Sequence, residues 1–436
     1  MNILQKAFLI HKLNKQFYHW DRRKLQLHQE QRLTELLQFI GKHSPFYHEL
    51  SSKRGRLEFH ELPVINKAIM MKFFDRINTV GLKRDELTAF KIREEKAGTL
   101  GLFNGEYSVG LSSGTTGNKG LTILSREEQE AYSCLLFARS GIPSAVKKRR
   151  IFFALRTNNP AFAEITRFGI TMIHVDYTHP LKYYIDLINN KRLNILAGPP
   201  SLLHMIAKNR NQIYHRIETL ISYAEVLEPE VRRELELAFN APVIQIYQGA
   251  EGFIGSTCKE GRLHINEDTI LVEEKDVQDP SGRVKSLIIT DLYRKTQPII
   301  RYAMNDLVEL EDTPCSCGSS FRVIRFIHGR CDHLFFLQGA DGNILYLFPD
   351  YIRRSINQAS DDIIEYQVFQ HSISSTEVRL TLKEGADRAS IEKTIGQNLS
   401  FWTNKIGGDL GEVTFNAKPP EKNQQSQKFI RVVRLF

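Results

Sequence analysis

A short segment between two strand-like runs has the composition of a phosphate-binding loop. Residues 112–120 read Ser-Ser-Gly-Thr-Thr-Gly-Asn-Lys-Gly, with three glycines, four hydroxyl side chains and one lysine. Glycine lets backbone N–H groups turn inward around an anion, and the hydroxyls and Lys119 add neutral and charged donors. The order is not that of a Walker loop, because Lys119 precedes Gly120 instead of following a glycine. The segment predicts a site for phosphate groups, with a plain hairpin loop as the alternative.

Three cysteines and one histidine form a second set of candidate ligands. Cys258 and His264 have five residues between them, and Cys315-Ser316-Cys317-Gly318 brings two further thiols into one turn. Three thiolates and an imidazole suit tetrahedral Zn²⁺. Four protein ligands would leave no open position, so we expect a structural rather than a catalytic zinc site. Reduced thiols in ordinary turns are the alternative.

Strands and helices alternate around these segments from about residue 107. Short β-rich runs are separated by amphipathic stretches. The runs include 107–111, 121–124 and 242–246, and the stretches include 180–192, 200–220 and 228–240. The alternation predicts an α/β fold with helices packed on both faces of mixed sheets. Ser125 and Glu128 form a capping box, so we expect a helix to begin directly after the second strand.

The chain divides into two predicted domains. Residues 1–60 read as helical, and after about residue 330 a β-rich piece ends in a helix near 387–400. We therefore expect a large N-terminal domain over residues 1–329, with mixed sheets flanked by helices. A small C-terminal α+β domain over residues 330–436 would follow, joined to the first by a hinge.

The overall composition is that of a globular protein and not of a fibrous or disordered one. The chain has 436 residues, and 59 lysines and arginines against 50 acidic residues give a net charge of +9. The basic residues are spread along the chain and form no single stripe, so we predict an anionic small-molecule ligand and no nucleic-acid partner. Five cysteines, no signal-like N-terminus and no apolar run long enough for a membrane span predict a cytoplasmic protein. A homodimer is left open.

Five motifs, in their order along the chain, resemble those of the adenylate-forming enzymes. This superfamily includes acyl-CoA synthetases, adenylation domains and luciferases, and the resemblance is to its phenylacetate–CoA ligase-like branch. The motifs are the loop at 112–120, Tyr247-Gln248-Gly249-Ala250-Glu251, Arg301-Tyr302 with Asn305-Asp306, Gly329-Arg330-Cys331-Asp332, and Lys428. The resemblance extends over nearly the whole chain.

The resemblance implies an acid–thiol ligase that uses ATP and Mg²⁺. The enzyme would adenylate a small carboxylic acid, aryl or acyl, and release pyrophosphate. It would then transfer the acyl group to coenzyme A or to the phosphopantetheine of an acyl carrier protein. Several relatives in this branch also carry a similar set of three cysteines and a histidine.

The same resemblance implies which residues bind ATP. The phosphate groups would be held by the loop residues Ser113, Gly114, Thr115, Thr116, Gly117 and Lys119. Tyr247 would stack on adenine with Gln248 and Gly249 beside it, and the ribose would be contacted by Asp306 and Arg330. Glu251 would hold Mg²⁺, because a carboxylate suits that hard cation.

Three further residues are implied in catalysis and domain movement. Lys428 would donate to the α-phosphate and the ribose during adenylation, although Gln427 stands where the superfamily usually has glycine. Asp332 would be the pivot of the hinge. Arg301 lies between apolar residues, and it is either a catalytic residue or a partner in a structural ion pair.

The acid and its acceptor are left open. Residues 337–349 keep their glycines and Phe348-Pro349, but with a spacing that differs from that of phenylacetate–CoA ligase. The thioester step depends on this segment. An amine acceptor, AMP transfer to a hydroxyl without a thioester step, and a non-catalytic homologue are therefore alternatives. Candidate residues of the acid pocket are Tyr223, Ala224 and Glu225 together with residues 197–200.

Overall fold

The computed structural model is built on one twelve-stranded sheet with helices against it, followed by two small sheets. It describes residues 1–52, 55, 57–97, 99, 101–111, 120–141, 149–154, 165–167, 170–175, 179–277, 282–311, 313–330, 333–421 and 429–436. The mixed α/β architecture confirms the predicted fold class. None of the described helices is long and apolar enough to pass through a bilayer.

Most of the described helices begin where the sequence provides a cap or a proline. They are α1 (Ile3–His19), α2 (Arg22–His43), α3 (Pro45–Ser52), α4 (Lys67–Lys72), α5 (Phe74–Ile77), α6 (Arg84–Ala97), α7 (Arg126–Arg139), α8 (Leu181–Lys191), α9 (Pro200–Ala207), α10 (Pro229–Phe239), α11 (Pro349–Asn357) and α12 (Arg388–Ile406). The predicted capping box of Ser125 and Glu128 opens α7. Four helices start at proline, whose missing N–H is not needed at a first helical position.

The large sheet runs in the order β11-β12-β13-β14-β10-β9-β8-β7-β6-β3-β5-β4. Its strands are β3 (Arg149–Ala154), β4 (Ile165–Arg167), β5 (Ile170–Val175), β6 (Ile195–Gly198), β7 (Thr219–Ser222), β8 (Val243–Gly249), β9 (Gly252–Thr257), β10 (Leu263–Ile265), β11 (Ile270–Asp276), β12 (Val284–Asp291), β13 (Tyr302–Glu311) and β14 (Val323–Arg330). The neighbours β5, β3, β6, β7 and β8 are parallel, with α8, α9 and α10 as their crossovers. These crossover helices cover one face of the sheet, and α1 and α7 cover the other.

One part of the predicted α/β pattern is wrong. The stretch 200–220 was expected to be a single amphipathic segment, but α9 ends at Ala207 and residues 219–222 form β7. All four residues of β7 are buried. A strand covered on both faces has no alternation of polar and apolar side chains, so periodicity alone does not distinguish it from a helical segment.

A separate hairpin carries the predicted phosphate-binding loop. β1 (Tyr107–Leu111) pairs with β2 (Leu121–Ser125) in antiparallel register, with Leu111 opposite Leu121. Residues 112–119, which connect the two strands, lie outside the described residues. The hairpin packs through Val109 and Ile123 against Phe74 and Leu87 from the N-terminal helices.

The C-terminal part has its own sheets and its own core. β15 (Phe335–Gly339), β16 (Ile344–Leu347) and β19 (Gly408–Asp409) form one sheet, and β17 (Ile363–Ser372), β18 (Ser375–Leu382), β20 (Glu412–Asn416) and β21 (Val432–Arg434) form the other. Their apolar side chains cluster together with those of α11 and α12. The last strand of the large sheet ends at Arg330. The boundary between residues 329 and 330 remains a prediction.

Candidate active site

Three of the predicted nucleotide-binding residues meet at one place on the large sheet. Tyr247 lies on β8, Asp306 on β13, and Arg330 at the end of β14, opposite Asp306 in the antiparallel register. The Tyr247 hydroxyl donates to Asp306 Oδ2 at 2.9 Å, and Arg330 Nε lies 3.7 Å from Asp306 Oδ1. In the sheet order β14, β10 and β9 lie between β13 and β8, so this contact bridges several strands.

Burial and charge decide the protonation of the Tyr247 phenol. Burial raises the pKa of Tyr247 well above its ordinary value, and the neighbouring Asp306 carboxylate raises it further. The phenol therefore stays protonated at neutral pH and orients the Asp306 carboxylate as an acceptor. The Asp306 side chain keeps 20% of its surface exposed, so its carboxylate can receive hydroxyl donors such as those of a ribose.

Glu251 lies in the turn between β8 and β9 and is held from two sides. The Tyr302 hydroxyl donates to the Glu251 carboxylate, and burial together with that charge raises the pKa of Tyr302. A Cβ at Gly249 would meet the Glu251 carboxylate, so a larger residue there would require that side chain to shift. The Glu251 carboxylate also interacts with the buried guanidinium of Arg294. It is therefore oriented before any ligand binds.

Arg294 and Gln297 connect this turn to the hairpin of the phosphate-binding loop. Arg294 Nη1 donates to the carbonyl of Ala250 at 2.7 Å, and its Nη2 donates to Gln297 Oε1 at 3.2 Å. The same Gln297 amide accepts from the N–H of Ile123 at 2.9 Å and donates to the carbonyl of Leu121 at 3.1 Å. Neither Arg294 nor Gln297 is among the site residues predicted from the sequence. The available signal was a polar stretch between two apolar strands, which is also typical of ordinary loops.

Helix α7 braces the same segment. Glu128 Oε1 accepts from the N–H groups of Lys295 and Thr296 at 2.6 and 2.8 Å. One turn further along α7, the Tyr132 hydroxyl donates to Gln248 Oε1 at 2.7 Å. The helix that follows the phosphate-binding hairpin is thereby attached to both the 294–297 segment and the end of β8.

The side-chain partners of Arg301 are residues outside this cluster. Its guanidinium forms a two-pronged ion pair with Glu273, at 2.9 and 3.1 Å. It also donates to the carbonyls of His60 and Leu62, both at 2.7 Å. Of the two alternatives for Arg301, this geometry supports the structural ion pair, because the guanidinium connects the N-terminal region to β11. A catalytic role for Arg301 remains a prediction.

Several of the predicted site residues lie outside the described residues. They are Ser113, Gly114, Thr115, Thr116, Gly117, Lys119, the pivot Asp332 and the catalytic candidate Lys428. Their roles remain predictions. The described part of the site brings together Tyr247, Asp306 and Arg330, with Gln248 and Gly249 at the end of β8 and Glu251 in the adjoining turn.

Tyr223, a candidate for the acid pocket, has a packing role. Its ring is buried, and its hydroxyl donates to the carbonyls of Ala154 and Ala197 at 2.6 and 3.2 Å. The carboxylate of Glu225 accepts from the N–H of Ser201 at 3.2 Å, near the start of α9. The Tyr223 contacts tie the loop after β7 to the parallel strands β3 and β6, and the Glu225 contact ties it to α9.

A cavity that the sequence did not predict lies between α10, β10 and β14. Its volume is about 240 Å³, and Gln245, two residues before Tyr247 on β8, lines it. Three arginines lie on its wall, and each is engaged by another group. Arg232 donates to the carbonyl of Val243 at 2.9 Å, Arg262 pairs with Glu311, and Arg325 pairs with Glu309 at 2.8 Å. The cavity is therefore less basic than its lining residues suggest.

The four predicted zinc ligands lie together in a buried cluster. The ligand atoms of Cys258, His264, Cys315 and Cys317 are all within 4.8 Å of one another. Cys258 Sγ is 3.8 Å from Cys315 Sγ, and Cys317 Sγ is 3.6 Å from His264 Nε2. His264 Nδ1 lies 2.8 Å from the carbonyl of Phe321, so Nδ1 is the donor there and Nε2 carries the lone pair.

The surroundings of the cluster disfavour free thiolates. Burial raises the pKa of the Cys317 thiol to about 12 and also raises that of Cys258. Without a cation the thiols of Cys258 and Cys317 would be protonated at neutral pH, whereas a bound metal deprotonates its thiol ligands. The ring of Phe17 from α1 packs edge-on against His264, with the ring centres 5.3 Å apart. The N-terminal helix is therefore part of the cluster's wall.

The sequence is similar to known proteins over nearly its whole length, although no family model matches it. It is 28% identical to Protein CapK of Staphylococcus aureus over 425 residues, which cover 92% of this chain and 89% of that protein. It is 22% identical to the phenylacetate-coenzyme A ligase of Thermus thermophilus over 394 residues, 83% and 82% of the two chains. A shorter match, 27% over 144 residues, covers 31% of this chain and 34% of the indoleacetate–lysine synthetase of Pseudomonas savastanoi.

A solved structure with the same fold is that of 2-hydroxyisobutyryl-CoA ligase. In its postadenylation state, with R3-HIB-AMP bound, the TM-score is 0.71 at 18% identity, over 96% of this chain and 91% of that chain. In its thioesterification state, with 2-HIB-AMP and CoA, the TM-score is 0.56 over the same shares of the two chains. The comparisons support the predicted enzyme class, an adenylate-forming acid–thiol ligase. The chain therefore has the fold of the adenylate-forming ligases, and its sequence resembles their phenylacetate–CoA ligase-like branch.

Proposed function

We propose that the protein adenylates a carboxylic acid, aryl or acyl, with ATP, and then transfers the acyl group to a thiol of coenzyme A or of a carrier-protein phosphopantetheine. The observation that carries the proposal is the meeting of Tyr247, Asp306 and Arg330 beside the oriented carboxylate of Glu251. This group lies next to the hairpin of the predicted phosphate-binding loop. The fold shared with acyl-CoA ligases supports the same reaction.

In the first step a carboxylate oxygen attacks the α-phosphorus of ATP, and the bond from that phosphorus to the pyrophosphate oxygen breaks. Charge is stabilised there by preorganised groups and not by proton transfer. Asp306, oriented by Tyr247, would accept hydrogen bonds from the ribose hydroxyls, and Arg330 would lie beside the same ribose. These contacts hold the α-phosphate in a fixed position for attack.

Glu251 would hold Mg²⁺, which neutralises phosphate charge when bound. The donor type fits, because Mg²⁺ prefers carboxylate and phosphate oxygens. The Tyr302 hydroxyl restricts the carboxylate in the way that an outer-shell partner orients a metal ligand. The Gln297 link between this turn and β2 would keep the metal ligand in register with the phosphate-binding loop.

The first experiment is ATP–pyrophosphate exchange with purified protein and a panel of aryl and fatty acids. Exchange stimulated by one acid would establish adenylation and name the substrate class. We expect Asp306→Asn and Glu251→Gln each to lower exchange at least about tenfold. Asp276→Asn, at an exposed position of β11, is the matched control and should leave exchange unchanged. ATP binding without exchange for any carboxylate would instead support hydroxyl adenylation, and absent ATP binding a non-catalytic homologue.

An amine is the second candidate acceptor. The observation that favours it is the partial match to indoleacetate–lysine synthetase, whose name describes joining an acid to an amino acid. The adenylated acid would then lose AMP to an amine and form an amide. Incubating the protein with ATP, its acid and either coenzyme A or lysine distinguishes the two, because mass spectrometry separates a thioester from an amide.

We also propose that the Cys258, His264, Cys315 and Cys317 cluster binds a structural Zn²⁺. With Zn–S bonds of about 2.3 Å and Zn–N bonds of about 2.05 Å, a tetrahedron has S–S edges of about 3.8 Å and S–N edges of about 3.6 Å. Two of the six separations, Cys258 Sγ to Cys315 Sγ and Cys317 Sγ to His264 Nε2, are 3.8 and 3.6 Å, and all six are within 4.8 Å. Metal analysis of the purified protein should find about one zinc per chain, and a Cys315→Ser variant should lose it.

A further inference from the structure

The first helix leaves several large apolar side chains in solvent. Ile3, Leu4 and Phe8 of α1 are 60%, 80% and 69% exposed. The other face of α1 supplies the buried residues Leu13 and Phe17. The exposed side chains therefore contribute nothing to the core.

Exposed apolar and basic residues of α1 share one face. Leu4, Phe8, His11 and Lys15 follow one another at spacings of four, three and four residues, which places them in one stripe along a helix. Lys12 lies beside this stripe, and no acidic residue occurs in the first 20 positions of the chain. We call these five residues the apolar–basic face.

The helix is firmly attached to the protein behind this face. Lys6 pairs with Glu130 of α7 at 3.0 Å. Arg139 donates to the carbonyl of Leu13 at 2.6 Å, and its guanidinium stacks over the ring of Phe17 at 4.6 Å. A partner would therefore meet a preformed surface, and binding would cost little ordering of the chain.

We propose that the apolar–basic face binds the surface of an anionic phospholipid membrane, with α1 lying in the interface. Apolar side chains next to lysines, on a helix too polar to span a bilayer, are the features of interfacial helices. The charge favours this occupant over a second copy of the chain, because two copies would bring like charges together.

The test is co-flotation of the full chain with vesicles. Vesicles of phosphatidylcholine alone are compared with vesicles of equal parts phosphatidylcholine and phosphatidylglycerol, at low and at physiological salt. We expect binding to the anionic vesicles only, weakened by salt. Lys12→Gln and Lys15→Gln should each weaken it about fivefold, and Leu4→Gln with Phe8→Gln should abolish it.

Leu237→Gln is the matched control, because Leu237 is 83% exposed on α10 and lies on another element. It should bind vesicles like the wild type. Circular dichroism establishes that each variant is folded. The proposal is overturned if the wild-type protein does not bind anionic vesicles at low salt, if the control loses as much binding as the α1 variants, or if light scattering shows a dimer that Phe8→Gln dissolves.

Discussion

Replacing Arg353 by methionine is expected to separate the two half-reactions of the proposed ligase. Arg353 lies on α11, beyond the predicted domain boundary, and its Nε is 3.2 Å from Oε1 of Glu228 at the start of α10. Both side chains are only 9% exposed. Gly329 has a left-handed φ of 111°, and a side chain there would come within 3.4 Å of Arg353 Nη2. The pair therefore joins the two predicted domains beside the hinge.

The size of the effect follows from this burial. Removing one partner of a buried ion pair leaves the other charge without compensation and typically costs about 3–5 kcal/mol. Taking about 3 kcal/mol, because both side chains keep some contact with solvent, the described domain arrangement would lose roughly a hundredfold in population. This arrangement matches the postadenylation state of 2-hydroxyisobutyryl-CoA ligase better than its thioesterification state. Adenylation is therefore the half-reaction expected to suffer.

The assay measures the two half-reactions separately. ATP–pyrophosphate exchange reports adenylation, and thioester formation from a supplied acyl-adenylate reports transfer. We expect Arg353→Met to lower exchange by up to about a hundredfold while transfer is retained. Arg354→Met, an exposed neighbour on the same helix, is the control. The double variant with Glu228→Gln should recover part of the loss, since no unpaired charge remains. Equal loss of both half-reactions, or equal effects of the two arginine variants, would refute the reasoning.

Three further outcomes test the cluster and the buried polar groups. With free zinc held a thousandfold above its Kd, bound metal should add about 4 kcal/mol to the free energy of unfolding. Calorimetry with and without a chelator measures this difference. The control is Cys134→Ser, which changes a cysteine outside the cluster and should retain the effect. Burial raises the pKa of Asp291 from 3.8 to about 6, so between about pH 4 and pH 6 the folded state binds more protons than the unfolded state and loses stability as pH rises. The free energy of unfolding, measured with urea, should therefore rise by about 3 kcal/mol for Asp291→Asn relative to the wild type as the pH passes through that window. If the two proteins instead show the same dependence of stability on pH, the pKa of Asp291 is not raised by burial. Gln297→Ala should cost about 1–3 kcal/mol, because the buried N–H of Ile123 loses its acceptor; a neutral result in urea unfolding would mean that water replaces the amide.

The local motifs were readable from the sequence, because each depends on neighbouring residues. The glycine-rich hairpin and the capping box before α7 were predicted from short-range spacing. The four metal ligands were predicted as one set from the chemistry of three thiols and an imidazole, although Cys258 and Cys315 are 57 positions apart. The contact between Tyr247 and Asp306 could not be predicted from spacing. Tyr247 and Asp306 are 59 positions apart, and three strands separate β8 from β13 in the sheet. Hydrophobic periodicity and secondary-structure propensity do not predict the order of strands in a sheet. The contact could therefore be expected only from the resemblance to a known family.

Buried polar networks were the least predictable part. Arg294 and Gln297 read as ordinary loop residues, yet both side chains are buried and their hydrogen bonds connect β2 with the Glu251 turn. A polar side chain is buried only when partners satisfy it, and here those partners are backbone groups distant in sequence. The two alternatives for Arg301 could not be separated from the sequence either, because its ion-pair partner Glu273 is distant along the chain.

Strand β14 connects the metal cluster with the candidate nucleotide site. Its first residue, Val323, pairs with His264 on β10, and its last residue, Arg330, pairs with Asp306 on β13. A cation held by the cluster would fix the turn before β14, and with it the register of the strand against both neighbours. Because a one-residue slip moves every side chain to the opposite face, losing the metal would misplace Arg330 without removing any reacting group. Loss of the metal should therefore weaken ATP binding and lower the free energy of unfolding, and it should leave the chemistry of adenylation unchanged.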